Sequence, residues 1–188
     1  IATVKRANGS GGFAVHITGK NTIDHDFTKI SESDLQQGEM QFGLPAALIV
    51  LVLVFGTLVG AAIPLMMAIL SIVVAMGLVA VIGQAFQLNI FVVNMLVAMG
   101  LALGIDYSLF IVSRLREERH RGASTREAIL IVANTATRAV LFSGVAFILA
   151  MLGMFLMPDA TLRSLAVGAI SVALVSILVA LTFHPALL

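Results

Sequence analysis

Five long apolar segments decide what this chain can fold into, because each is long enough to cross the hydrocarbon core of a bilayer. Of its 188 residues, 60% are hydrophobic and 11% are charged, a composition typical of membrane proteins. The predicted spans cover about residues 42–59, 61–82, 90–115, 136–157 and 162–181. We therefore predict an all-α membrane fold, in which residues 31–188 form a bundle of five transmembrane helices.

The first 30 residues are polar and differ from the rest of the chain. Phe13–Gly19 alternates in part between apolar and polar residues, which is typical of a β-strand. We interpret Asn21–Ile30 as a turn and Ser31 as the N-cap of the first helix, with Asp34 three residues later. Residues 1–30 are expected to be a short α+β remnant, the C-terminal tail of an extracytoplasmic domain.

The first predicted span enters the membrane near Phe42 and contains Pro45. Proline has no backbone N–H, so it removes one helical hydrogen bond and can bend a helix. Transmembrane helices tolerate such a residue.

Arg114–Arg126 is the most strongly charged run in the chain. The positive-inside rule predicts that this run, within a loop of about residues 116–133, lies in the cytoplasm. Ser124–Glu127 has the sequence STRE, which can start the next helix. Three spans precede the loop, so residues 1–30 are expected outside the cell.

Asp106 is the most unusual residue of the third span. Nine apolar or small residues precede it from Val97, and seven residues follow it before Arg114. A charged side chain at that depth costs between roughly 2.5 and 17 kcal/mol, depending on how the cost is measured. Asp106 is the one acidic residue inside a predicted span, and we therefore interpret it as a functional site.

Three roles are open for Asp106: proton carrier, sodium ligand or one arm of a structural ion pair. Exclusion from water favours the neutral form of a carboxyl group, which suits proton binding and release. A sodium site needs several more oxygen ligands, such as the carbonyls of a broken helix. An ion pair needs a partner outside this chain, because we expect no basic residue within a span.

Three side chains on the third and fourth spans are candidate neighbours of Asp106. Tyr107 is too deep to be an interfacial aromatic residue, and its hydroxyl can donate to a carboxylate. Phe110 lies one turn further on and either excludes water from the site or simply packs. The Ser143 hydroxyl can donate either to the Asp106 carboxyl group or to a backbone carbonyl of its own helix. From the residues alone we favour the backbone carbonyl.

Gly100 and Gly104 form a G-x-x-x-G pattern in the third span. Small residues at this spacing allow two membrane helices to approach closely. Because the pattern lies within one turn of Asp106, we expect the close-packed face and the acidic face of this helix to coincide.

Several classes of function are disfavoured by the sequence. The chain has no cysteine, and its four histidines are scattered without the spacing of a metal site. The net charge of +1 gives no indication of nucleic-acid binding. No arrangement of nucleophile and base is apparent, so we expect neither an enzyme nor a bound metal.

Four strings of the sequence together resemble the MmpL-type transporters of the resistance-nodulation-division superfamily. The most specific is GLALGIDYSLFIVSRLREER, and LFSGVAF follows it at residues 141–147. DLQQGE and LPAALIVLVLVFGTLVGAAIPL resemble the start of that family's second helix.

The resemblance implies a position within a larger protein. Such transporters have twelve spans in two similar halves, each half with a large extracytoplasmic porter domain. The chain then corresponds to the end of a porter domain and spans two to six of one half. The other half supplies the remaining spans.

The resemblance also implies a function. Asp106 and Tyr107 match the Asp-Tyr pair that relays protons in the family. Phe110 matches a position that lines the family's channel, and Ser143 matches a serine near the relay. A second pair comes from the other half. The expected function is export of lipids or other amphiphilic molecules across a bacterial plasma membrane, driven by the proton-motive force, with no cofactor besides protons.

Two other functions remain open. One is a sterol-sensing-type module, which shares the five-helix arrangement and binds lipid without pumping. Ligand binding by such a sensor persists when an uncoupler collapses the proton gradient, whereas transport stops. The other is a structural membrane scaffold. Finding no second Asp-Tyr span elsewhere in the gene would favour this function.

Overall fold

The computed structural model describes the backbone of residues 19–187, and the side chains of these residues other than 20, 21, 24 and 184–187. Within that range the chain is a helical bundle with short connections. The elements are α1 (Lys20–Asp34), a π-helical segment (Leu35–Gly43), α2 (Leu44–Phe55), α3 (Leu58–Ala85), α4 (Phe91–His120), α5 (Thr125–Leu152), a 3-10 turn (Gly153–Leu156) and α6 (Ala160–Leu187).

Five helical stretches are long and apolar enough to cross a membrane, which confirms the predicted all-α bundle. The stretches are His25–Phe55, Leu58–Ala85, Phe91–His120, Thr125–Leu156 and Ala160–Phe183. The first combines α1, the π segment and α2 into one continuous helix. The last is the most enclosed, because α6 packs against α3, α4 and α5.

The N-terminal part of the first helix corrects two sequence predictions. Residues 21–30 are helical rather than a turn, so the helix begins at Lys20. Ser31 is therefore an interior residue and not an N-cap. Its hydroxyl donates to Asn94 Oδ1 on α4 at 2.5 Å, and Asn94 Nδ2 donates to the Ser31 carbonyl at 3.1 Å. The strand predicted at Phe13–Gly19 lies outside the described residues, apart from Gly19.

The π segment accommodates Pro45 without interrupting the first helix. Pro45 lies in the first turn of α2, directly after the nine π-helical residues. The backbone N–H of Leu44 bonds to the Glu39 carbonyl, five residues back. An α-helical register would place a carbonyl against the proline ring, and the wider turn avoids that clash.

The turn between α2 and α3 lies on the same face of the bundle as the arginine-rich loop. Gly56 ends α2 in the left-handed conformation, with a φ of 69°. Arg116 of α4 donates to the Phe55 carbonyl at 3.0 Å, and its guanidinium lies 4.7 Å from the centre of the Phe55 ring. We call this side of the bundle the Arg-loop face.

The other two connections lie on the opposite face. The Asn89 backbone N–H, between α3 and α4, donates to Ser164 Oγ near the start of α6 at 2.9 Å. Asp159 Oδ1 accepts from the Leu162 N–H and begins α6. The bundle therefore alternates up and down, as a chain of antiparallel helices with short connections requires.

The Arg-loop face is tied together by ion pairs. Arg114 and Arg121 each contact both Glu117 and Glu118, with N–O distances between 2.5 and 3.0 Å. Ser124 then starts α5 through a capping box with Glu127, which confirms the helix start predicted from STRE.

Gly100 and Gly104 lie at the closest contacts of α4. A Cβ atom at Gly104 would lie 2.6 Å from Ala68 Cα, and one at Gly100 would lie 2.4 Å from Ile72 Cγ1, so both glycines press against α3. Asp106 does not share this face, contrary to our expectation. It follows Gly104 by two residues, which places it about 200° further around a helix of 3.6 residues per turn.

We predict that Gly104→Ala destabilises the bundle. The added methyl group collides with the backbone of Ala68, so α3 and α4 must separate, at an expected cost of about 1–3 kcal/mol. Unfolding of the complete protein in an SDS titration measures this change. Gly77→Ala is the matched control, because a Cβ at Gly77 meets no atom within 4 Å. Equal stability of the two variants would contradict the packing described here.

We also predict energetic coupling between Ser31 and Asn94. In a double-mutant cycle with Ser31→Ala and Asn94→Ala, the coupling should be about 0.6 kcal/mol, the average for hydrogen bonds between membrane helices, and no more than about 1.7 kcal/mol. Ser33→Ala serves as the control in the same cycle, because Ser33 is exposed. Additive effects for the Ser31 pair would show that the contact contributes nothing.

Candidate functional site

Asp106 lies near the middle of α4 and is exposed on the surface of the five-helix bundle. The glycine face of α4 points towards α3, so the acidic face points away from the core. The carboxylate is therefore deep in the membrane along the helix, but these five helices do not enclose it.

Asp106 has no hydrogen bond or ion pair within the part of the chain that the structure describes. Three basic residues do lie within the predicted spans, contrary to our expectation: Arg114 near the end of 90–115, Arg138 within 136–157 and Arg163 near the start of 162–181. Arg138 is exposed, and none of the three is paired with Asp106. The ion-pair role thus has no partner among the described side chains.

Tyr107 is turned into the bundle next to Asp106. Its side chain is 7% exposed and belongs to a cluster with Ile111, Val140 and Ile177, which joins α4, α5 and α6. The hydroxyl lies within hydrogen-bonding reach of the Ser143 side chain. A Cβ atom at Gly144 would lie 3.0 Å from this hydroxyl, so a small residue there leaves room for it.

An open cleft between α4 and α5 brings four predicted site residues together. It has a volume of about 450 Å³ and is lined by Asp106, Tyr107, Phe110 and Ser143, together with apolar side chains. Phe110 is 48% exposed and forms part of the apolar wall. The Ser143 hydroxyl donates to its own helix at the Val140 carbonyl, 3.2 Å away. We call this space the α4–α5 cleft.

A second open cleft reaches Asp106 from the other side. It has a volume of about 340 Å³ and lies between the first helix and α4. Gly38, Glu39 and Gly43 of the π segment line it, and so do Ala102 and Asp106 of α4. We call it the π-segment cleft.

Glu39 belongs to the same continuous helix as the first predicted span. The predicted span begins near Phe42, three residues after Glu39. In the structure the helix runs without a break from Lys20, so Glu39, like Asp26, Glu32 and Asp34, lies within the helical stretch His25–Phe55. Pro45 is the sequence signal of the altered turn that carries Glu39, because its ring clashes with a carbonyl in the α-helical register.

The side chains grouped at this site are of types that can bind and release protons or share hydrogen bonds. Two carboxyl groups, one phenol and one serine hydroxyl are grouped around the two clefts. No group of three or more His, Cys, Asp or Glu side chains within the described range is arranged to hold a metal ion. Gly100 and Gly104 contact neither cleft and act instead in helix packing.

The chain is similar to mycobacterial transport proteins. It is 36% identical over 179 residues to the heme uptake protein MmpL11 of Mycobacterium tuberculosis. It is 35% identical over 179 residues to the mycolic acid-containing lipids exporter MmpL11 of Mycolicibacterium smegmatis. It is 32% identical over 177 residues to the trehalose monomycolate exporter MmpL3 of M. tuberculosis.

These alignments cover nearly the whole chain but a small part of each relative. They include 94–95% of the chain, and they span 18–19% of the relatives' own length. A family model described as the MMPL family matches residues 1–188. The chain therefore belongs to the MMPL family, the MmpL-type transporters of the resistance-nodulation-division superfamily.

Proposed function

We propose that this chain is part of a transporter that exports lipids or other amphiphilic molecules across a bacterial plasma membrane, driven by the proton-motive force. Two of the three relatives described above bear the names of lipid exporters. The third is named for heme uptake, and heme is also amphiphilic. The Arg-loop face is cytoplasmic in this proposal, in keeping with the positive-inside rule.

One observation carries the proposal: an unpaired carboxylate, Asp106, lies at mid-span between two open clefts. A charged group facing lipid at this depth is expensive, so protein or water must cover the acidic face. We assign this cover to the other half of the transporter, which supplies a second Asp-Tyr pair.

Proton binding at Asp106 changes the contact between α4 and the other half of the transporter. The charged carboxylate favours polar partners and water, whereas the neutral acid tolerates an apolar contact. The two protonation states thus favour different positions of α4 against the other half. The resulting rocking of the membrane helices moves the porter domains, which bind and release the cargo.

We predict that Asp106→Asn abolishes transport in the complete protein. The amide cannot bind and release a proton, so export into acceptor vesicles should fall about a hundredfold or more. The measurement uses proteoliposomes with an imposed proton gradient, a pH-sensitive dye and a labelled lipid cargo. Asp159→Asn is the matched control, because asparagine keeps the helix-capping bond at Leu162.

Three results would contradict the proposed coupling. Export by Asp106→Asn at the wild-type rate would exclude a relay through this residue. Export that requires sodium rather than a proton gradient would favour a sodium site. Lipid binding that persists with an uncoupler, without any net movement of cargo, would favour the sterol-sensing-type module.

We predict that Tyr107→Phe slows transport while the fold is kept. Phenylalanine preserves the ring that packs against Ile111 and Ile177, but it lacks the hydroxyl beside Ser143. The expected loss is about tenfold, equivalent to one ordinary hydrogen bond. Export rate and SDS-unfolding midpoint are measured together. A wild-type rate would remove Tyr107 from the relay, and a lowered midpoint would show a packing role instead.

A further inference from the structure

Glu39 has a carboxylate oxygen that is buried and unpartnered. Its Oε2 atom is shielded from solvent and accepts no hydrogen bond from any described residue. An unpaired polar atom buried in this way is costly, so we expect a partner for it during function. Glu32 and Asp34, on the same helix, are exposed.

The π segment directs this carboxyl group towards α4. Gly38 and Gly43 lie five residues apart, and a Cβ atom at Gly43 would lie 3.2 Å from the Gly38 carbonyl oxygen. This contact shows how tightly the wide turn packs on itself. Both glycines line the π-segment cleft together with Glu39, and the α4 side of the cleft is formed by apolar side chains and Asp106.

Glu39 and Asp106 face the same space at different depths. The Ser31–Asn94 and Phe55–Arg116 contacts fix the register of the first helix against α4. Interpolation between these contacts places Glu39 level with Leu101, which also lines the cleft. Five residues of α4 separate that level from Asp106, which is about 7.5 Å along the axis at 1.5 Å per residue. Glu39 is thus nearer the face opposite the Arg loop.

We propose that Glu39 is a second proton-binding residue, which receives protons from the face opposite the Arg loop and passes them to Asp106. The inference rests on the proposed function of Asp106. In each transfer, the O–H bond of the neutral Glu39 carboxyl breaks and its electron pair stays on Glu39 as a carboxylate. The proton crosses the π-segment cleft through water and forms a new O–H bond on the Asp106 carboxylate. Glu39 then regains a proton from bulk water.

The cleft is large enough for this step and contains the necessary groups. Its volume of about 340 Å³ holds several water molecules, at about 30 Å³ each. Of the described residues that line it, Glu39 and Asp106 are the two that ionise. Among the residues that line the cleft, Asp106 is therefore the one titratable acceptor for a proton that leaves Glu39.

The test is Glu39→Gln in the complete protein, reconstituted in proteoliposomes as above. We expect proton flux and cargo export to fall about tenfold or more at neutral pH on the side facing the 86–90 connection. The defect should shrink when that side is acidified, because bulk protons then reach Asp106 without the intermediate carboxyl group. Glu39→Asp should restore most of the rate, and Glu32→Gln should leave the rate unchanged.

Asp106→Asn, measured in parallel, separates this inference from the proposed function. If Asp106→Asn is inactive and Glu39→Gln keeps the wild-type rate, the role of Glu39 is wrong and that of Asp106 stands. A Glu39→Gln defect that is independent of pH, or that Glu39→Asp does not relieve, would show a structural role and overturn the inference. If Asp106→Asn transports normally, both proposals fail.

A measurement on the unaltered protein covers the case in which Glu39→Gln does not fold. A hydrophobic carbodiimide reacts with protonated carboxyl groups in apolar surroundings, and mass spectrometry locates the modified residue. We expect modification at Glu39, with a matching loss of proton flux. Absence of modification at Glu39, or modification without loss of flux, would overturn the inference.

Discussion

Close contact between α3 and α4 is the interaction on which the site depends. Gly104 lies against the backbone of Ala68, and Gly100 lies against Ile72. This contact fixes the rotation of α4 about its own axis. With the glycines turned into the bundle, helical geometry leaves Asp106 on the outer face and Tyr107 between α5 and α6. A helix rotated by half a turn would bury the carboxylate against α3 and expose the glycines to lipid.

The first helix stays continuous although it contains Pro45. A proline inside a membrane helix leaves a carbonyl without its donor, and no water is available there to replace it. The nine-residue π segment changes the register before the proline, so the helix continues without a break. The same change brings Glu39 to the cleft beside Asp106. One local adjustment therefore serves both the continuity of the helix and the placement of an acidic side chain.

Much of the architecture could be predicted from the sequence, because apolar length alone specifies a membrane helix. The five spans follow from it, and the STRE capping box follows from local chemistry. Which face of a helix meets which neighbour does not follow, since it depends on tertiary contacts. For this reason the prediction that the acidic and glycine faces of α4 coincide is wrong. Residues 21–30 are helical although polar, and Phe27 packs edge-on against Phe91 of α4, with 5.7 Å between the ring centres.

The two clefts beside Asp106 differ in a way that suits directional proton movement. The π-segment cleft extends from Asp106 towards the face opposite the Arg loop and contains a second carboxyl group. The α4–α5 cleft contains the Tyr107 and Ser143 hydroxyls and is walled by Phe110. A proton moving through one site between two chemically different clefts exchanges with each side through different groups. Opening of one cleft at a time is the condition that couples such exchange to transport, since simultaneous opening would let protons leak.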